Sequence, residues 1–227
     1  MNGPLKMDAS RRFISAHSHQ WLSLFQKLIR TPSIFGKEKQ IVELIAKYVK
    51  RNLGLPVHKV DHGLAKWKKL KNAQSPLSKI PNRHSLVVRL PGGGKGRSLI
   101  LSAHLDVVSE GKSDLWAHPP YSGYIDRQNN IIYGRGAMDD KAGVMISLAV
   151  LETLIKTRAR LDGDVIFQYV LEDETTGNGT LFCLSEGFTA DAAFIIDGTR
   201  PDKAISQHAG NLQFTLSVRG KPASVSV

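Results

Sequence analysis

The stretch Tyr133–Leu171, YGRGAMDDKAGVMISLAVLETLIKTRARLDGDVIFQYVL, decides the fold. It opens on a glycine-bearing turn and continues into a helix rich in small residues from Lys141 to about Lys156. It closes on an apolar, β-branched strand over Asp164–Leu171. Working outward, the same kind of run predicts strands at Ser85–Leu90, Ser98–Ala103, Ile131–Tyr133 and Ala192–Ile196. Asp164–Leu171 and Ala192–Ile196 are rich in β-branched and apolar residues, as expected of a sheet buried on both faces. Pro91-Gly92-Gly93-Gly94 predicts a hairpin-like turn between the first two strands. Strands and helices alternating at these lengths predict an α/β layered domain with a largely parallel mixed sheet flanked by helices.

Towards the N-terminus, Trp21, Leu22, Leu24, Phe25, Leu28 and Ile29 recur at helical spacing and predict a helix over Ser15–Ile29. Thr31-Pro32-Ser33 ends it, because the residue before proline is pushed out of the helical region. A second helix is expected from Glu38 to about Asn52, and residues 63–83 read as an irregular insertion. The segment Asn211–Arg219 alternates apolar and polar residues and predicts a half-solvated strand, unlike those before it. We therefore divide the chain into residues 1–210, one catalytic-type domain, and residues 211–227, the first strand of a smaller α+β domain that the sequence does not complete.

The chain has 227 residues, 41% hydrophobic and 22% charged, which suits a globular protein. No apolar run approaches the roughly 18 residues that cross a bilayer, so no membrane partner is expected. The opening MNGPLKMDASRRF lacks the apolar core of a secretory signal. The single cysteine, Cys183, cannot form an internal disulfide, and a reducing, cytoplasmic setting is the expectation. The net charge of +11 raises the question of nucleic acid. The charge is not gathered into one tract, however, and the densest run, Lys66–Lys71, lies in the insertion. A solvated basic loop is the better reading, with electrostatic steering of anionic substrates as a weaker one.

Four segments place acidic or imidazole side chains where a strand ends. In Ser102-Ala103-His104-Leu105-Asp106, His104 and Asp106 are two apart and point to one side. Imidazole is a good zinc ligand, and a carboxylate behind it can fix its tautomer. In Tyr133–Gly143 the glycines allow a sharp turn into Asp139-Asp140 at a helix start, where carboxylates are favoured even without a metal. Glu172-Asp173-Glu174 follows the Asp164–Leu171 strand, and three adjacent like charges must be solvated or share cations. Asp197 follows Phe194-Ile195-Ile196. Taken singly, each segment is explained as well by a structural histidine, a helix cap or an exposed loop.

Taken together, SAHLDVV, YGRGAMDDKAG, EDETTGNGT and IIDGT resemble, in that order, the zinc metallopeptidase family of acetylornithine deacetylase, succinyl-diaminopimelate desuccinylase, aminoacylase and glutamate carboxypeptidase. Trp116-Ala117-His118-Pro119-Pro120 and Thr31-Pro32-Ser33 fit the same pattern, and the resemblance covers roughly residues 15 to 220. It implies metal ligation by His104, Asp139, Glu174 and Asp197, with Asp139 bridging two zinc ions and Asp106 holding the His104 imidazole. Cobalt or manganese would also suit such a site. It implies hydrolysis of amide bonds in N-acyl amino acids or small peptides carrying a free carboxylate, by a water shared between two ions and a carboxylate general base. It further implies a homodimer or a complementing chain, a lid domain, and a last metal-binding histidine beyond the residues given.

Two departures from the family pattern stand out. The base position falls on Asp173, one methylene shorter than the usual glutamate, and a one-residue shift would let Glu172 serve instead. The Gly220-Lys221-Pro222-Ala223 turn is followed by Ser224 where the family carries a histidine. An aminopeptidase on the same fold, and a catalytically inactive metal-binding fragment, are the alternatives left open.

Overall fold

The computed structural model describes residues 4–70, 73, 82–197, 202–207, 209–210, 214 and 216–220. Helix α1 runs from Pro4 to Ile29, reaching further back than the apolar stripe that predicts its second half. Helix α2 (Lys39–Tyr48) buries Ile41, Val42, Ile45 and Ala46, a stripe at helical spacing. One wider turn, Val49–Leu53, carries it to Gly54, which ends it in the left-handed conformation that glycine tolerates. Strand β1 (His58–Asp61) and the short helix α3 (Leu64–Trp67) follow, and the insertion expected over 63–83 otherwise lies largely outside the described residues.

The main sheet contains β1, β2 (His84–Leu90), β3 (Leu99–His104), β6 (Val165–Val170) and β7 (Ala192–Ile195), in the order β1-β2-β6-β3-β7. The pairings β6–β3 and β3–β7 are parallel, whereas β1–β2 and β2–β6 are antiparallel. Strands β4 (Tyr124–Asp126) and β5 (Ile131–Tyr133) form a separate antiparallel ribbon. Helix α4 (Lys141–Lys156) links that ribbon to β6, and α5 (Asn178–Ser185) links β6 to β7.

Alternate residues of each central strand face opposite layers. Leu86, Val88, Leu101, Ala103, Phe167, Tyr169 and Leu171 join the larger core against α1, α2 and α4. Val87, Ile100, Ile166 and Val170 form a smaller one with Phe182 and Cys183 of α5. Glu152 of α4 ties the helical layer together, its Oε2 accepting from Trp21 Nε1 at 2.8 Å and from the Tyr48 hydroxyl at 2.6 Å.

Three expectations need correction. The glycine run after Pro91 is not a hairpin, because β6 lies between β2 and β3. Its glycines instead let two loops meet backbone to backbone: Gly93 and Gly94 donate to the carbonyls of Leu161 and Asp162, and a Cβ on Gly92 would stand 2.4 Å from the Gly163 carbonyl carbon. Strand β7 is not buried on both faces; all four of its residues are exposed, Phe194 and Ile195 by more than half. It is an edge strand, paired among the described residues with β3 alone. Within Asn211–Arg219, Phe214 and Leu216–Arg219 are exposed and belong to no strand, while 211–213 and 215 lie outside the described residues.

Gly143 lies in the first turn of α4, and a Cβ there would meet the Ile196 carbonyl oxygen at 1.9 Å and Asp140 Oδ1 at 2.1 Å. Alanine is the better helix former, yet here it must push α4 away from the end of β7. Gly143→Ala is expected to cost about 2 kcal/mol, lowering the melting temperature by about 4–8 °C. Calorimetry showing an unchanged or raised midpoint would contradict this packing.

Candidate metal centre

Because β6, β3 and β7 are parallel neighbours, their carboxyl ends open on one edge of the sheet, the place where open α/β sheets bind ligands. His104 closes β3 in the middle of that edge. The Glu172–Glu174 turn leaves β6 on one side, and Asp197 follows β7 on the other. The N-terminus of α4 brings Asp139 and Asp140 from beneath.

His104 is buried and held at three points. Its Nδ1 lies 2.8 Å from the main-chain oxygen of Asp106, a contact that calls for the proton on Nδ1 and turns Nε2 towards Asp139. Nε2 faces Asp139 Oδ1 at 2.8 Å, and the His104 amide donates to Asp140 Oδ2 at 2.9 Å. His104, Asp139 and Asp197 each offer a ligand atom, all within 4.8 Å of one another, the one such group of three found among the described residues. Glu174 is not in that group, although Asp139 and His104 lie near enough for their charges to act on it. One imidazole nitrogen and two carboxylate oxygens suit zinc, cobalt or manganese.

Asp140 and Asp106 work from behind. Asp140 is fully buried and caps α4 by accepting from the Gly143 amide at 3.1 Å. The resemblance assigns Asp106 to the His104 imidazole, and its backbone carbonyl makes that contact while its carboxylate stands 3.7 Å from Nδ1. The Asp106 carboxylate instead accepts from the amides of Asp173 and Glu174, both at 3.2 Å, and so ties the end of β3 to the turn after β6.

The two base candidates part company. Asp173 is exposed at the site, and burial of its surroundings together with Asp106, Asp197 and Asp139 pushes its carboxyl above the usual range, against the pull of His104. Glu172 is buried and has both oxygens engaged elsewhere: Oε1 by the Arg83 guanidinium and His62, Oε2 by the Thr176 hydroxyl. Burial alone would raise its pKa, but His62, Thr176 and Arg83 bring it down to about 2. Burial likewise pushes Asp140 up to about 8, opposed by the His104 amide. For His104, burial disfavours the cation, yet Asp106, Asp140 and Asp173 outweigh it and raise the imidazole to about 10.

Arg83, His62 and Glu38 carry no signal in the sequence, since nothing local announces that residues 38, 62, 83 and 172 meet. Lys141 is also unannounced: fully buried in the first turn of α4, it donates to the Thr31 carbonyl at 2.8 Å and lies over the Tyr121 ring. Burial lowers its pKa to about 7.

The chain is similar to several known proteins. A family model described as peptidase family M20/M25/M40 matches residues 100–226. An N-formyl-4-amino-5-aminomethyl-2-methylpyrimidine deformylase from Halalkalibacterium halodurans is 37% identical over 119 residues, covering 52% of this chain and 27% of its own length. A succinyl-diaminopimelate desuccinylase from Methylorubrum extorquens is 28% identical over 221 residues, 92% of this chain and 52% of its own. The chain thus spans about a quarter to a half of these two relatives. Among solved structures, the Bacillus subtilis YXEP protein, described as a dinuclear metal binding peptidase, superimposes with a TM-score of 0.54 at 17% identity, over 83% of this chain and 44% of that one; this likeness bears on the fold alone.

Like charges crowded around His104 should make a bound cation stabilising. Zinc at a hundred times its dissociation constant is expected to add about 2.7 kcal/mol, raising the melting temperature by about 5–10 °C, with reversal by a chelator. His104→Ala should lose most of that rise; a rise of equal size in the variant would place the ion elsewhere.

Proposed function

The chain belongs to peptidase family M20/M25/M40, and from that premise we propose that it is a zinc-dependent hydrolase of amide bonds in N-acyl amino acids or small peptides. The observation that carries the reading is the convergence of His104, Asp139 and Asp197 at the carboxyl edge of the parallel strands. The named activities of the relatives, removal of a formyl group and of a succinyl group, support the bond type. The dinuclear description of the Bacillus subtilis protein supports a pair of ions.

In this reading His104 and Asp197 would hold one ion and Glu174 the other, with Asp139 placed to serve both. Such ions would supply Lewis-acid chemistry, making a water more acidic and favouring negative charge on the oxygen of the attacked amide. Asp139 and Asp197, exposed at the open edge, leave room for substrate, whereas the buried Asp140 and Asp106 hold the backbone that presents the ligands. Asp173 is the general base: it takes the proton of the attacking water and returns it to the departing amine. Glu172 has no free oxygen with which to do so. Residues 211–227 would begin the lid that closes over this edge.

Asp173→Asn keeps the shape of the side chain and removes its basicity. We expect hydrolysis of N-acetyl amino acids by the zinc-loaded chain to fall by a factor of about 10² to 10⁴, with zinc stoichiometry unchanged. Turnover within about twofold of the parent, or parental turnover insensitive to His104→Ala, would contradict the assignment.

A further inference from the structure

The turn that carries Asp173 and Glu174 is set by Glu172, which adopts φ +68°, a left-handed backbone that a residue with a Cβ rarely takes unless its surroundings impose it. From that conformation its carbonyl collects the amides of Thr176 at 3.0 Å and Gly177 at 2.7 Å, closing the turn before α5. Its side chain runs the other way, into a buried cluster assembled from four distant segments. Arg83, 6% exposed, bonds Glu172 Oε1 through one arm and pairs with Glu38 through another at 2.5 Å, while its plane lies 4.3 Å from the centre of the Phe35 ring. His62 Nδ1 lies 3.4 Å from Glu172 Oε1, and its Nε2 lies 2.8 Å from Ser85 Oγ, which itself accepts from the Leu171 amide at 3.1 Å. The Thr176 hydroxyl donates to Glu172 Oε2 at 2.7 Å and fastens the far end of the turn.

We propose that Glu172 is a positioning residue: the buried clamp of Glu38, Arg83, Glu172 and Thr176 holds the left-handed backbone at 172 and so aims Asp173 and Glu174 at the His104 cluster. The proposal rests on the reading above, in which Asp173 and Glu174 carry the chemistry. The turn is gripped from two sides, by Arg83 from the start of β2 and by the Asp106 carboxylate from the end of β3. The two grips act on consecutive residues. Loosening the first therefore frees the amides held by the second without disturbing the sheet. A glycine at 172 would accept the same φ, so the demand here is for the glutamate side chain and its partners.

The test reads amide hydrogen exchange in the metal-free protein, for Thr176→Val and for Glu172→Gln. Thr176→Val takes away the bond to Glu172 and the one its hydroxyl accepts from the Asn178 amide, and leaves the Arg83 ion pair in place. In both variants the amides of Asp173 and Glu174 should exchange about fivefold faster or more, while those of Phe167 and Tyr169 in β6 stay within about twofold of the parent. With zinc present, Glu172→Gln should also weaken the ion held by Glu174 about tenfold and leave the His104-dependent ion unchanged. Asp173 and Glu174 amides that do not change, or that speed up in step with β6, would overturn the clamp. A parent chain whose zinc binding is indifferent to His104 would instead sink the functional reading, and the metal-free exchange still decides the clamp.

Discussion

Everything at the candidate site follows from the parallel register of three strands. His104 is paired with Val170 across β3 and β6, and Ser102 with Ile195 across β3 and β7. The three strands therefore end within a residue or two of one another, and the residues just past their ends share one edge. A slip of one residue in β3 would turn His104 to the opposite face of the sheet. The register is protected by the alternation of Leu101 and Ala103 into the larger core and Ile100 into the smaller one. Burial of those side chains, each worth on the order of 1–3 kcal/mol, is what holds the imaging of ligand against ligand in place.

The same edge concentrates negative charge. Asp106, Asp139, Asp140, Asp173, Glu174 and Asp197 surround a single imidazole, and burial first, with neighbouring carboxylates adding to it, pushes Asp140, Asp173 and Glu174 up against the pull of His104. The fold meets it with backbone donors: the amides of His104 and Gly143 on Asp140, and those of Asp173 and Glu174 on Asp106. The buried basic groups have partners of their own. Arg83 is neutralised by Glu38 and Glu172, and Lys141 is turned towards the Thr31 carbonyl. The open side of the cluster is thus left with carboxylates, which is the arrangement that a divalent cation requires.

How much of this was legible in the sequence depended on distance along the chain. Helix Lys141–Lys156 and strand Val165–Val170 could be read to within a residue or so, because small residues, a capping aspartate and β-branched runs act locally. The hairpin expected after Leu90 fails because β6, far downstream, takes the place beside β2, and no local pattern records such an insertion. The exposure of β7 was equally hidden: Phe194 and Ile195 look like core until the sheet order makes them an edge. At the site, His104, Asp139 and Asp197 could be nominated only through the family resemblance that the four segments carry together. The choice between Glu172 and Asp173 could not, since it turns on Arg83, 89 residues away, and on a left-handed backbone invisible to composition.

The measurement that bears most directly on the whole account is anomalous diffraction at the zinc edge from crystals of the zinc-loaded protein. One peak is expected on His104 Nε2, Asp139 and Asp197, and a second on the side of Asp139 that faces Glu174. Zinc bound elsewhere, with His104 Nε2 still hydrogen-bonded to Asp139 and no density between them, would contradict it.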